Sequence, residues 1–212
     1  MRPAFASLIL LASLPAAADE APSDPVAPRD NFSHRLQAGV GVTVGSGYRV
    51  MFKYGDKNNS GQTTSCGQLD SEGRPATTCT GRISTWLDAK LFFGVSSSVD
   101  VVIEQRIGLE SGMAGDFTAG RMFVLMPGIR VYPTDGTKSF KFFVQIQPVF
   151  DFTDPGASNL RGYDIGLHEA NGFQWDFLKW MGAYLQISET FEFVRAFTFQ
   201  LEGGGGIEGR FP

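Results

Sequence analysis

The sequence predicts an all-β protein: an antiparallel up-and-down transmembrane β-barrel of about eight strands. Three observations predict it. Apolar residues recur at every second position in segment after segment beyond residue 35. The alternate positions carry small residues and charges of both signs in near balance. The chain also opens with the three-part pattern of an export signal.

That signal runs over residues 1–18. Arg2 supplies the basic start, Phe5 to Leu14 the apolar run, Pro15 a break, and Ala16-Ala17-Ala18 the small-residue pattern accepted at cleavage. The run is too short to stay as a membrane helix, which needs roughly 20 apolar residues. No cysteine stands near the cleavage point to accept a lipid anchor. Residues 19–34 are rich in proline and acid without apolar period and read as a disordered leader. His34 falls in this leader, and folding is expected from Arg35 through residue 212 as one domain.

The first strand takes Leu36, Ala38, Val40, Val42 and Val44 on one face and resumes at Tyr48, Val50 and Phe52 with unchanged parity. Gly45-Ser46-Gly47 then marks a bend in a long strand, a hairpin being the competing reading. The second strand alternates through Ile83, Thr85, Leu87, Ala89, Leu91 and Phe93, the third through Val99, Val101, Ile103, Ile107 and Leu109. Phe123, Leu125, Ile129 and Val131 mark the fourth, and Phe140, Phe142, Val144, Ile146, Phe150 and Phe152 the fifth. The sixth holds Tyr163, Ile165 and Leu167; no Gly or Pro breaks the chain over 168–171, so its end is open. Ala183, Leu185 and Ile187 give the seventh, and Phe197, Phe199, Leu201, Ile207 and Phe211 the last. Longer and shorter connections take turns, as in barrels whose short turns all face one side.

Composition excludes other classes. The chain has 212 residues, a net charge of −4 and only 19% charged residues, against roughly 25% in soluble domains. No basic field exists to attract nucleic acid. After the signal no apolar run approaches the length of a helical span, which leaves strands as the spanning element.

The non-apolar face carries Arg49, Arg82, Asp88, Lys90, Asp100, Glu104, Arg106, Arg130, Glu202 and Glu208, with Lys141, Asp151, Asp164, Asp176 and Arg210 in the same register. An Arg or Lys facing lipid at the bilayer midplane costs roughly 2 to 4 kcal/mol, so these charges belong inside as a network of opposite signs. Trp86, Tyr132, Phe152, Trp175, Trp180, Tyr184 and Phe197 stand near strand ends, where interfacial aromatic belts would sit.

Taken together, the export signal, the alternating segments, the short inner turns and the last strand ending on Phe211 resemble small outer-membrane β-barrels of the OmpA and OmpX type. The resemblance covers residues 35–212 and is architectural. It implies an outer-membrane location, contact with membrane lipid, delivery by the barrel-assembly machinery through the C-terminal signal at Phe211, and a monomer. Here Pro212 follows the aromatic that ends the family pattern. No wall-binding domain follows the barrel, so that role of larger members does not carry over.

Chemistry-bearing motifs are few. Cys66 and Cys79 share one connection in an exported chain and are expected to form a disulfide worth roughly 3 kcal/mol in the chain-entropy model. Asp56-Lys-Asn58-Asn-Ser60-Gly61 opens like a calcium loop, but Gly67 stands where its bidentate Glu belongs, so no metal is expected. His34 and His168 are the only histidines. Small-barrel lipid hydrolases place a Ser beside the His or two residues on, where this chain has Glu169 and Ala170, so His168 is expected as a polar rim residue and no enzyme activity or cofactor follows.

The function expected is structural or surface-interacting, through the loops, with a charge-filled interior. A narrow pore or transporter is the alternative, with Gly39, Gly41, Gly45, Gly204 and Gly206 leaving room inside. A soluble periplasmic ligand-binding barrel and a lipid-modifying enzyme are the further readings.

Overall fold

A computed structural model describes residues 32–52, 72–73, 78–109, 122–153, 163–194 and 196–211. The expected signal, most of the leader, the calcium-like turn and Cys66 lie outside the described residues.

Eight strands form where the alternation runs: β1 (Ala38–Phe52), β2 (Thr78–Gly94), β3 (Val99–Gly108), β4 (Phe123–Val131), β5 (Phe140–Asp151), β6 (Asp164–Leu178), β7 (Met181–Glu192) and β8 (Phe197–Phe211). Each pairs antiparallel with its sequence neighbours, and β8 pairs with β1 to close the barrel. That last ladder runs unbroken from Ala38 opposite Phe211 to Phe52 opposite Phe197, so closure leaves no free edge. Gly45-Ser46-Gly47 lies within β1, and the hairpin reading falls. The sixth segment continues through His168–Asn171 to Leu178, well past its last expected apolar marker.

The outer wall is apolar. Val40, Val42, Val44, Leu91, Ile103, Ile129, Ile146, Leu185 and Ile207 are all exposed, while the residues between them are buried. Such an inversion of the usual globular arrangement follows from the period of two, which sends alternate side chains to opposite faces. Glu169 and Glu189 interrupt the wall: they face one another across β6 and β7, both exposed, with Asn171 donating to Glu169 at 3.3 Å. Nothing in the structure explains this like-charge pair.

One register break changes which side chains point inward. Gly45 pairs with Trp86 but Gly47 with Ile83, so Ser46 stands opposite Ser84 and Thr85 together. β2 thus carries an extra residue, a β-bulge, and its parity flips before Ser84. Ile83 is buried and Arg82 exposed, the reverse of the simple alternation. Arg82, expected inside, lies on the outer wall and donates to Thr85 at 2.9 Å.

The leader does not stop short of the barrel. Phe32 donates its N–H to Thr137 O at 3.0 Å, and His34 is completely buried. Leu36 then turns into β1 with φ of 62°, among the described residues the one non-glycine with positive φ. Gly94 makes this entry feasible, since a Cβ there would stand 1.9 Å from His34 O.

Candidate functional site: the charged lumen

Inward-facing positions of all eight strands converge on a lumen that holds five buried cations, Lys90, Arg106, Arg130, Lys141 and Arg210, and nine buried carboxylates: Asp88, Asp100, Glu104, Asp176, Glu202 and Glu208, with Asp151, Asp164 and Glu192 toward the far end. Desolvating one such ion costs several kcal/mol unless a partner and hydrogen bonds compensate. Most of the partners are present, while Asp100 Oδ1, Arg130 Nη2 and Arg210 Nε and Nη1 are buried without a hydrogen-bond partner among the described residues.

In the middle of the barrel the Arg106 guanidinium donates to Asp88 through Nε (2.9 Å) and Nη2 (3.0 Å), and through Nη1 to both oxygens of Glu202 (2.7 and 2.9 Å). Its face lies 3.9 Å from the Trp86 ring centroid. Planar forks of this kind suit arginine rather than lysine. Lys90 pairs with Glu104 at 2.8 Å and donates to the Tyr184 hydroxyl at 3.0 Å, which also bonds Thr43 at 2.5 Å.

Nearer the end where the chain enters, Arg130 bonds Gln145 (3.0 Å) and Glu208 (2.9 Å). Arg210 bonds Glu208 at 2.8 Å and also Asp176. Lys141 reaches Asp176 at 2.8 Å, His34 Nε2 at 2.9 Å, and the carbonyls of Phe32 (3.1 Å) and Gly136 (3.0 Å). Because Lys141 can only donate, Nε2 of His34 accepts, which leaves the ring proton on Nδ1 facing Asp100 at 2.9 Å. Tyr132 donates to the same Asp100 oxygen at 2.9 Å. Residues 32–35 therefore form a stopper at this mouth, with His34 as its tip.

Aromatic rings fill the space above the inward glycines. A Cβ on Gly45 would meet Trp86 at 2.3 Å, one on Gly39 would meet Phe92 at 2.1 Å, and one on Gly206 would meet Tyr184 at 2.8 Å. Of the glycines expected to leave a channel, Gly39, Gly45, Gly204 and Gly206 seat these rings, an arrangement known to pin strand register, whereas Gly41 lies against Glu208 and Lys90. Trp86, Tyr132 and Tyr184, expected in interfacial belts, are accordingly buried inside, while Phe152, Trp175 and Trp180 are exposed.

Of the expected interior charges, Asp88, Lys90, Asp100, Glu104, Arg106, Arg130, Glu202 and Glu208 are buried in the lumen, Arg49 is half-buried toward the far end of β1, and Arg82 is outside. Phe211 ends β8 and is exposed. Cys79 is buried in β2, its expected partner Cys66 lying outside the described residues. His168, expected at the rim, is completely buried, with Nδ1 2.7 Å from Thr190 Oγ1. His34 was unforeseen as a site residue, because the proline and acid around it resemble a solvated tail. His34, Asp176 and Glu208 lie close enough to suggest a metal site, but Lys141, Arg130 and Arg210 already occupy their ligand atoms.

An apolar wall around a lumen lined with ion-paired charges defines the class of small inside-out β-barrels. No protein-family model and no curated protein matches the chain. Among solved structures it is similar to the N-terminal β-barrel domain of Pseudomonas aeruginosa OprF, with a TM-score of 0.53 at 7% identity over 84% of this chain and 98% of that one. Neisserial surface protein A gives 0.49 at 10% identity, covering 82% and 99%, and the attachment invasion locus protein Ail of Yersinia pestis gives 0.46 at 9%, covering 84% and 99%. The first of these likenesses shows the fold.

Proposed function

We propose that this chain is an exported, integral outer-membrane β-barrel whose role is structural or surface-interacting, with a lumen closed by its own charges rather than open as a pore. The observation that carries the reading is the Arg106 bridge, which ties β3 to Asp88 on β2 and Glu202 on β8 across the interior while the outer wall stays apolar. Pairing offsets much of the desolvation of these lumen charges, and a wall of Val, Ile, Leu and Phe suits hydrocarbon. Lipid around the wall, the assembly machinery at Phe211, and an outside partner met by the connections that a Cys66–Cys79 bridge would stiffen belong to the same reading. No catalytic role is assigned to His168, whose burial and bond to Thr190 suit packing.

Fractionation of the full-length chain, followed by planar-bilayer recording of the detergent-folded protein, tests this. Recovery in the outer membrane with no sustained conductance is expected. Recovery in the soluble periplasm would overturn the membrane reading, and a steady open channel would overturn the closed lumen.

A further inference from the structure

The apolar wall is not even. The register sets Ala183 between Ile207 and Trp175, and Gly205 between Val44 and Leu185, so two small residues on neighbouring strands stand among large ones. Their missing side chains leave a groove of about 770 Å3, an ordinary size for a site that holds one small ligand. Val42, Val44 and Ile207 of β1 and β8 border it on one side, and Phe140, Phe173 and Trp175 of β5 and β6 on the other. Phe140 and Phe173 stack at 5.6 Å with their planes 12° apart, which stiffens that side. Leu185, 71% exposed, leans over Gly205, where a Cβ would stand 2.8 Å from its Cδ2.

The groove lies toward the mouth where the chain enters. Ala183 and Leu185 are the third and fifth residues of β7. At about 3.4 Å per residue on a strand tilted by roughly 45°, the groove therefore reaches about 10 Å from the strand end, within one leaflet of a hydrocarbon core roughly 30 Å thick. Lys138 and Lys179 are exposed on the two turns below it, two residues before Phe140 and four after Trp175. The carboxylates nearest them in sequence are engaged elsewhere. Asp135 accepts from the Thr137 N–H at 3.0 Å and its hydroxyl at 2.6 Å, and Asp176 is buried against Lys141 and Arg210. Trp175 and Trp180 are exposed near the same end, and rings of this type settle at headgroup depth.

We propose that this groove holds one acyl chain of a glycerophospholipid from the leaflet at the chain-entry mouth, with the lipid phosphate on Lys138 and Lys179. This rests on the membrane reading above. An apolar slot less than one leaflet deep, with ammonium groups at its open end, matches a molecule with a long apolar tail and an anionic head. A second copy of the chain fits less well. A stable protein interface needs about 800 Å2 from each partner. Extending one up β6 and β7 would bring Glu169 and Glu189 of both copies together at the same depth, a like-charge contact.

Native mass spectrometry tests the proposal. The full chain is folded into phosphatidylglycerol vesicles, released into mild detergent that strips loosely held lipid, and weighed. One phosphatidylglycerol retained per barrel is expected; none would overturn the site. Ala183→Phe and Ile207→Trp each fill the groove from the outer wall and leave the lumen untouched, and each should cut the retained fraction by about tenfold. Full retention in either variant, once its heat-shifting band shows it folded, would overturn the groove as the seat. K138Q/K179Q should lower retention and K138R/K179R keep it, whereas equal retention in both would overturn the phosphate contact. A dimer that Ala183→Phe dissociates would overturn the lipid and give the groove to a second copy. Failure of the membrane reading looks different: the chain would stay out of the vesicles altogether, while an inserted barrel without lipid fails the groove alone.

Discussion

The Arg106 guanidinium grips both carboxylate oxygens of Glu202, at 2.7 and 2.9 Å, across ninety-six residues of chain, while its other edge holds Asp88. Removing the cation leaves two carboxylates buried without compensation, whereas removing all three charges leaves none. Arg106→Met should therefore destabilise the barrel by about 3 to 5 kcal/mol, and the triple change with Asp88→Asn and Glu202→Gln should recover much of the loss. The urea midpoint of the heat-shifting folded band measures both. A neutral single change would mean that the lumen is wet.

Arg82 provides the internal contrast. It sits on the outer side of the bulge, exposed, although it belongs to the same run of charges in the sequence. Arg82→Ala should shift stability by no more than about 0.5 kcal/mol. A loss as large as that of Arg106 would place the guanidinium inside and remove the bulge.

Gly45 and Trp86 fit together only because one lacks a Cβ, which would otherwise stand 2.3 Å from the indole. Gly45→Val should cost about 1 to 3 kcal/mol through overpacking, and pairing it with Trp86→Leu should return part of that cost. Thermal unfolding of the four proteins in a mutant cycle gives the coupling; simple additivity would refute the contact.

His34→Ala takes one partner each from Asp100 and the Lys141 ammonium at the entrance, leaving Tyr132 on the first and Asp176 on the second. Loss of about 1 to 3 kcal/mol is expected, with faster hydrogen exchange at Gly94, whose N–H bonds Gln37 O. Unchanged exchange there would show that the stopper does not hold the mouth.

Glu189→Gln relieves the like-charge pair with Glu169 on the outer wall and should stabilise the fold by about 0.2 to 1 kcal/mol. Destabilisation instead would reveal a partner for the two carboxylates.

The barrel was legible because its outer face is apolar almost without interruption, so a period of two survives through Val40, Leu91, Ile103, Ile146 and Leu185. The bulge was not, because Ile83-Ser84-Thr85 reads equally well in either parity, and an extra residue leaves no mark where small polar side chains suit both faces. Trp86 and Tyr184 were misplaced for a different reason. Whether a ring faces lipid or lumen depends on what stands across the strand, and the glycines that seat them, Gly45, Gly204 and Gly206, become neighbours only once the register is known. His34 is the extreme case: its partners Asp100, Lys141 and Gln174 come from three different strands, and no local pattern announces them.

Those three strands also set an order of events. His34 meets Gln174 over a separation of 140 residues, and β1 meets β8 from Ala38 to Phe52 only after the last segment has arrived. The earliest part of the folded region to leave the ribosome is thus among the last to find its place. Until then the first strand stands unpartnered on one side, its row of backbone N–H and C=O groups open to any other edge.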